Sequence, residues 1–162
     1  MENHPERTAI KRNKLSKPMD WLVSNGFLVN KSILDYGCGR GDDVGWLREC
    51  GFPDVVAFDP HFYNRPPTRQ FDVVTCLYVL NVLPKDQEWD VLTKAFSYVA
   101  PQGTLFVAVR NDKFKEGPTG RKTYQRHVTL ELPLLVIKRG FKIYRITELP
   151  QDIDFKKELE KL

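Results

Sequence analysis

The residues richest in chemistry form one eleven-residue stretch, Ile33-Leu34-Asp35-Tyr36-Gly37-Cys38-Gly39-Arg40-Gly41-Asp42-Asp43. An apolar run delivers an acid, three glycines follow at alternate positions, and two acids open what reads as a helix. Glycine lets a backbone approach a ligand closely and take dihedrals closed to other residues. The nicotinamide fingerprint is GxGxxG, with a pyrophosphate at the helix N-terminus. Here the spacing is GxGxG, and Asp42 and Asp43 stand where that phosphate would approach. Two carboxylates there favour a cation over a dianion, unless they serve only the positive end of the helix. Asp59 ends the next apolar run, 24 residues after Asp35. An acid at that place can accept hydrogen bonds from both ribose hydroxyls, or can simply cap the turn before Pro60. A ligand with a ribose, a positive charge and no phosphate satisfies all of these positions.

Positioning them requires alternating strands and helices. Ser16, Pro18 and Gly26 bracket a short helix carrying Trp21, Leu22 and Val23. Ser32–Tyr36 reads as a buried strand, Asp42–Cys50 as a helix ended by Gly51, and Val55–Phe58 as a strand covered on both faces. Phe71–Leu77 is a third strand. Pro84–Val99 is a helix with Trp89, Leu92, Phe96 and Val99 at helical spacing. Gln102-Gly103 turns the chain into a fourth strand, Thr104–Val109. Residues 111–127 read as a polar loop, Thr129–Arg139 as a helix ended by Gly140, and Phe141–Ile146 as a last strand. The alternation predicts an α/β domain with a mostly parallel sheet.

The 162 residues suit a single domain over 1–162. Within it the expected parts are a helical N-terminal cap at 1–29, a core at 30–110, a candidate lid loop at 111–127 hinged at Gly117–Gly120, and a helix, strand and tail at 128–162. Mean hydropathy is -0.42, and no apolar run approaches the ~18 residues of a spanning helix, so no membrane association is expected. Nothing near the N-terminus reads as a signal peptide. Three cysteines without CxxC spacing suggest neither a disulfide framework nor a zinc site, and a cytoplasmic setting is the expectation. No metal is expected. Cys76, within an apolar strand, reads as a structural thiol rather than a nucleophile.

The net charge of +4 is unevenly spread, with -3 over residues 21–109 and +7 over 110–145. The basic block includes Arg110 and Arg126 with Tyr124 between them. Cations near an aromatic suit phosphates and a stacked base; a solvated face balancing the acidic body is the alternative.

At the glycine segment and Asp59 the chain resembles class I S-adenosylmethionine-dependent methyltransferases, over roughly residues 30–110. Phe71–Pro84 (FDVVTCLYVLNVLP) resembles their fourth strand and the loop closing over the cofactor. A narrower resemblance is to methyltransferases associated with DNA phosphorothioation systems. It rests on Thr8 to Arg12, DYGCGRGDD (Asp35 to Asp43), Asp-Pro-His (Asp59 to His61) and Tyr-Val-Leu-Asn-Val (Tyr78 to Val82). The resemblance implies a Rossmann-like fold and S-adenosyl-L-methionine as cofactor. It would be bound by Asp35, Gly37, Cys38, Gly39, Gly41, Asp42, Asp59, Pro60, Tyr78 and Asn81, with Arg12 the nominee for the cofactor carboxylate.

One departure concerns residues 60–70, where such chains place a helix, a third strand and a loop. A crossover alone takes about a dozen residues, so the third, edge strand should be reduced or absent. The usual adenine-contacting acid goes with it, leaving His61, Phe62, Tyr63 or Leu77–Asn81 for adenine. Asn81 is not followed by the Pro-Pro-aromatic of amino-group DNA methyltransferases. His4, His61 and His127 are scattered, and no catalytic base is nominated. The expected function is methyl transfer, with a nucleic acid or nucleic-acid-linked target as acceptor (DNA modification), contacted through Arg110, Tyr124 and Arg126. A partner protein would supply target specificity. A small-molecule methyltransferase and a cofactor-binding protein without transfer activity are the alternatives.

Overall fold

The computed structural model describes residues 2–150. In chain order the elements are α1 (Lys17–Ser24), β1 (Ile33–Tyr36), α2 (Asp42–Glu49), β2 (Val55–Phe58), β3 (Phe71–Leu77), α3 (Glu88–Phe96), β4 (Val99–Arg110), β5 (Gly117–Pro118), β6 (Tyr124–Gln125), β7 (Leu134–Lys138) and β8 (Phe141–Ile146). The main sheet runs β2-β1-β3-β4-β8-β7. Its first four strands are parallel, whereas β8 is antiparallel to β4 and β7 to β8. Strand β2 is the sheet edge, as the short 60–70 segment requires. That segment holds no helix, and its one ladder contact is an antiparallel bridge from Asp59 to Tyr63.

The pleat sends alternate residues to opposite faces, and both faces are covered. Leu34, Val74, Leu105 and Val107 pack beneath α3 with Leu92 and Ala95. Ile33, Val73, Phe106 and Ala108 pack against α1 and α2 through Met19, Leu22, Val44 and Leu47. All four β1 residues are buried, as expected of a central parallel strand. Among the described residues no helix is long and apolar enough to cross a membrane.

Four sequence expectations are corrected. Thr129–Arg139 is not a helix: Leu134–Lys138 is strand β7, hairpinned onto β8. Gly140, at φ 96°, turns that hairpin instead of stopping a helix, and β-branched Val136 and Ile137 suit the strand. The Pro84–Val99 helix is shorter. Lys85–Gln87 is a 3-10 turn, α3 ends at Phe96, and Val99 already begins β4. Gln102-Gly103 lies inside β4, where the register with β3 shifts between Phe71 and Val73. A Cβ on Gly103 would sit 2.8 Å from the Asp72 carbonyl oxygen, so the close approach selects glycine. The 111–127 stretch is not wholly irregular, because β5 and β6 form a small hairpin within it. The expected tail falls largely outside the described residues.

Candidate functional site

A pocket of about 280 Å³ opens at the C-terminal ends of β1, β2 and β3, where open α/β sheets bind ligands. The glycine loop, the Asp59–Phe62 turn and Leu77–Val79 form its walls, and residues 5–12 cross over it. Of the sequence-nominated cofactor residues, Asp35, Gly37, Cys38, Gly39, Asp42, Asp59, Pro60 and Tyr78 line the pocket, as do Arg12, His61 and Phe62. Gly41 and Asn81 do not.

The glycine loop is fastened to the next strand end. The Gly37 and Cys38 amides both donate to the Phe58 carbonyl, at 2.8 and 3.0 Å. Gly37 has φ 79°, and a Cβ there would lie 2.5 Å from Val79 Cγ2. Conformation and space thus exclude a side chain at that position. Gly41 starts α2 in the left-handed region and lies against the Tyr63 ring.

Asp59 ties two loops together. One carboxylate oxygen accepts from the Gly39 amide at 2.8 Å; the other accepts from the His61 and Phe62 amides at 2.9 and 3.1 Å. The carboxylate therefore caps the following turn and still has one of its ~4 lone-pair positions open. Asp35 is fully enclosed beneath the loop, 3% exposed, and accepts from Thr75 Oγ1 at 2.9 Å. Burial, aided by the negative charge of Asp43, pushes its carboxyl up to about 8.

Asp42 and Asp43 anchor the segment that covers the pocket. Asp42 accepts from the Arg12 amide. Asp43 accepts from the Ser16 amide at 2.7 Å and the Ser16 hydroxyl at 2.6 Å. Burial raises the Asp43 carboxyl, with those hydrogen bonds and the Arg12 charge opposing. Farther out, the Asn3 side chain donates from Nδ2 to the Val82 carbonyl at 3.1 Å, and the His4 backbone amide to the Lys122 carbonyl at 2.8 Å. Pro5, Glu6, Thr8, Ala9 and Ile10 consequently roof the pocket, a place the sequence reserved for 111–127. That loop lines none of it; its hairpin supports the roof from outside. No local signal in Pro5–Ile10 announces this role, since its partners are long-range.

Tyr78 has φ 61°, a backbone choice costing a bulky residue about 1–3 kcal/mol. Its amide is held by the Ala108 carbonyl at 2.9 Å. The side chain of Asn81 is a joint: Oδ1 accepts from the Arg110 amide and Nδ2 donates to the Arg126 carbonyl, each at 2.9 Å. Burial raises the Cys38 and Cys76 thiols, which disfavours the thiolate.

Arg110, Tyr124 and Arg126 lie outside the pocket. Arg126 is 7% exposed, paired with Glu88 at 2.9 Å and donating from Nε to the Leu83 carbonyl at 2.6 Å. Arg110 is paired with Asp112 and lies 4.0 Å over the Phe114 ring. Tyr124 pairs with Pro118 in the small hairpin.

The sequence profile of a family described as a methyltransferase domain matches residues 8–154. Sequence comparison with curated proteins finds no match. Among solved structures, a Burkholderia thailandensis 1,6-didemethyltoxoflavin-N1-methyltransferase with bound 1,6-didemethyltoxoflavin and S-adenosylhomocysteine superposes with a TM-score of 0.59. It is 14% identical, over 80% of this chain and 76% of that one. The DhpI–SAH complex gives 0.50 at 13% identity, over 83% and 89%. These likenesses establish the fold.

Proposed function

Because the chain belongs to the methyltransferase-domain family, we propose that it transfers a methyl group from S-adenosylmethionine to an acceptor bearing negative charge, with nucleic acid or a nucleic-acid-linked target as the first class to test. The observation that carries this reading is the acidity of the donor pocket. Glu6, Asp35, Asp42, Asp43 and Asp59 line it against only Arg12 and Arg40, and a positive charge is what such a lining suits. The donor set fits that cofactor, for acids face its ammonium and sulfonium, and Arg12 is available for its carboxylate. When bound, the cofactor supplies a methyl already activated for in-line displacement.

The remaining work falls to this chain. The open lone pair of Asp59 meets one ribose hydroxyl, and Asp35 balances the ammonium from below. Pro60, His61, Phe62 and Val79 wall the adenine, taking the place of an acid on the missing strand. Residues 5–12 exclude water from the reacting centre, and alignment of acceptor and methyl then supplies much of the rate. The narrower resemblance to phosphorothioation-associated methyltransferases and the +7 of residues 110–145 support the anionic acceptor. The roof of residues 5–12 supports a second reading, a small-molecule acceptor enclosed beneath it.

Calorimetric titration with S-adenosylhomocysteine, followed by labelled transfer to fractionated DNA, RNA, protein and metabolites, tests the assignment. We expect binding by the native chain, at least ten-fold weaker binding by Asp59→Ala, and label in the nucleic-acid fraction. Equal affinity of the two would overturn the donor site. Label confined to metabolites would select the second reading, and tight binding with no label anywhere a protein that uses the cofactor as a ligand.

A further inference from the structure

A second cavity, of about 420 Å³, opens beyond the C-terminal end of β4. Its lining brings together Arg110, Lys113, Phe114, His127, Thr129 and Lys142, from the end of β4, the following loop, the exit of β6 and strand β8. Tyr78, which lines the donor pocket, is near enough to feel the charges of Arg110 and Asp112, two residues of the second cavity's lining. Strand β4 lies directly beside β3, so the cavity continues the same carboxyl-end crevice toward the acceptor side.

The side chains divide into a wall and a set of donors with no carboxylate partner among the described residues. Arg110 is spent on Asp112 and on Gln125 Oε1 at 3.3 Å. It stacks on Phe114 at 4.0 Å, and the His127 ring stacks on Phe114 at a centroid distance of 4.0 Å. His127 Nε2 lies 2.9 Å from the Phe114 carbonyl oxygen, which can only accept, so Nε2 carries the proton. The nearby Glu116 carboxylate is engaged by the His127 amide at 2.6 Å. Lys142 Nζ stands 3.5 Å from Thr129 Oγ1. Neither Lys113 nor Lys142 has an ion-pair partner among the described residues. The Lys142 ammonium beside the Thr129 hydroxyl, with Lys113 on the same lining and an aromatic wall behind them, presents donors in the pattern a phosphate group accepts. The volume suits a group of nucleotide size.

We propose that this cavity is an acceptor subsite for a phosphate group, held by Lys113, Lys142 and Thr129, which places the phosphorylated end of the acceptor across Tyr78 from the methyl donor. The proposal rests on the reading of the neighbouring pocket as the donor site. The phosphate belongs either to a free sugar phosphate or to a nucleic-acid strand, and the two sources are separable by experiment.

The test uses the full chain saturated with S-adenosylhomocysteine, titrated in turn with inorganic phosphate, ribose 5-phosphate and a single-stranded oligothymidylate. The native protein is compared with Lys113→Glu/Lys142→Glu and with the milder Lys113→Gln/Lys142→Gln and Thr129→Val. We expect ribose 5-phosphate or the oligonucleotide to bind the native chain and to bind the charge-reversed variant at least ten-fold more weakly. The glutamine variant should lie between them, and S-adenosylhomocysteine affinity should be the same in all. Ribose 5-phosphate binding identifies a small acceptor; binding of the oligonucleotide alone identifies a strand. No binding of any phosphate probe to the native chain, or equal binding by native and charge-reversed proteins, overturns the subsite. Should S-adenosylhomocysteine itself fail to bind, the donor assignment falls, while the phosphate titrations without it still decide the subsite.

Discussion

Ser16 and Asp43, 27 residues apart, are joined by two hydrogen bonds, 2.7 Å from the serine amide and 2.6 Å from its hydroxyl. Both residues are buried, at 3% and 9% exposure. The pair fixes the start of α1 to the start of α2 and so sets where the chain over the donor pocket must run. Ser16→Ala leaves a buried carboxylate short of one donor, a loss of about 1–3 kcal/mol. Thermal denaturation should show a lower Tm, and S-adenosylhomocysteine should bind more weakly because the roof of the pocket loosens. A variant as stable as the native protein would refute the anchoring role.

Asp35 makes ligand binding pH-dependent. Its carboxyl is raised to about 8 in the free fold, against an unfolded value near 3.9. Between those values the folded chain holds a proton that the unfolded chain has lost. Asp35 therefore contributes stability that is complete below about pH 4 and is lost as pH rises toward 8. A cationic ligand favours the ionised form, so its binding below pH 8 should release a proton and tighten as pH rises from 6.5 to 8.5. Calorimetry in buffers of different ionisation enthalpy measures that proton directly. Asp35→Asn should abolish the release and bind S-adenosylmethionine at least ten-fold more weakly, while flattening the fall in stability toward pH 8.

The pair of Arg126 and Glu88 is structural. With side-chain exposures of 8% and 14%, removing one partner strands a buried charge and should cost about 3–5 kcal/mol. Arg126→Ala is expected to lower the denaturation midpoint sharply. Arg126→Lys should rescue little, because the lysine ammonium cannot reproduce the guanidinium fork that reaches both Glu88 and the Leu83 carbonyl. Full rescue by lysine would count against this account.

Gly37→Ala introduces a methyl 2.5 Å from Val79 Cγ2 at a φ of 79°. Two penalties act together, and Val79→Ala relieves only the contact. The single variant should lose S-adenosylhomocysteine binding, and the double variant should recover it in part. Complete recovery would show that space alone selects glycine there.

Much of this could be foreseen along the chain. Strand, acid and glycines lie consecutively in residues 33–43, so local pattern marked residues that line the first pocket, and the shortness of 60–70 placed the sheet edge at β2. Residues whose partners are remote were not legible. Asn81 looked like a ligand contact because it follows β3, yet its side chain spans to Arg110 and Arg126. Arg126 looked like a surface cation, and only the fold supplies Glu88. Leu134–Lys138 carries apolar residues that suit helix or strand equally over so short a run; the neighbouring β8 decides. The roof of residues 5–12 depends on Asp42, Val82 and Lys122, none of which is near it in sequence.

With the sheet ending at β2, Asp59 carries two duties. The carboxylate closes the Asp59–Tyr63 turn onto the glycine loop, and the same group is the one proposed to meet the ribose. No strand beyond it shares the load, so occupancy of the pocket and the order of that turn form one equilibrium. Nucleoside binding should then be visible at a distance from the ligand itself, as slowed amide exchange at His61 and Phe62. The sheet's barest margin thus becomes its most responsive part, a local folding unit whose stability the ligand sets.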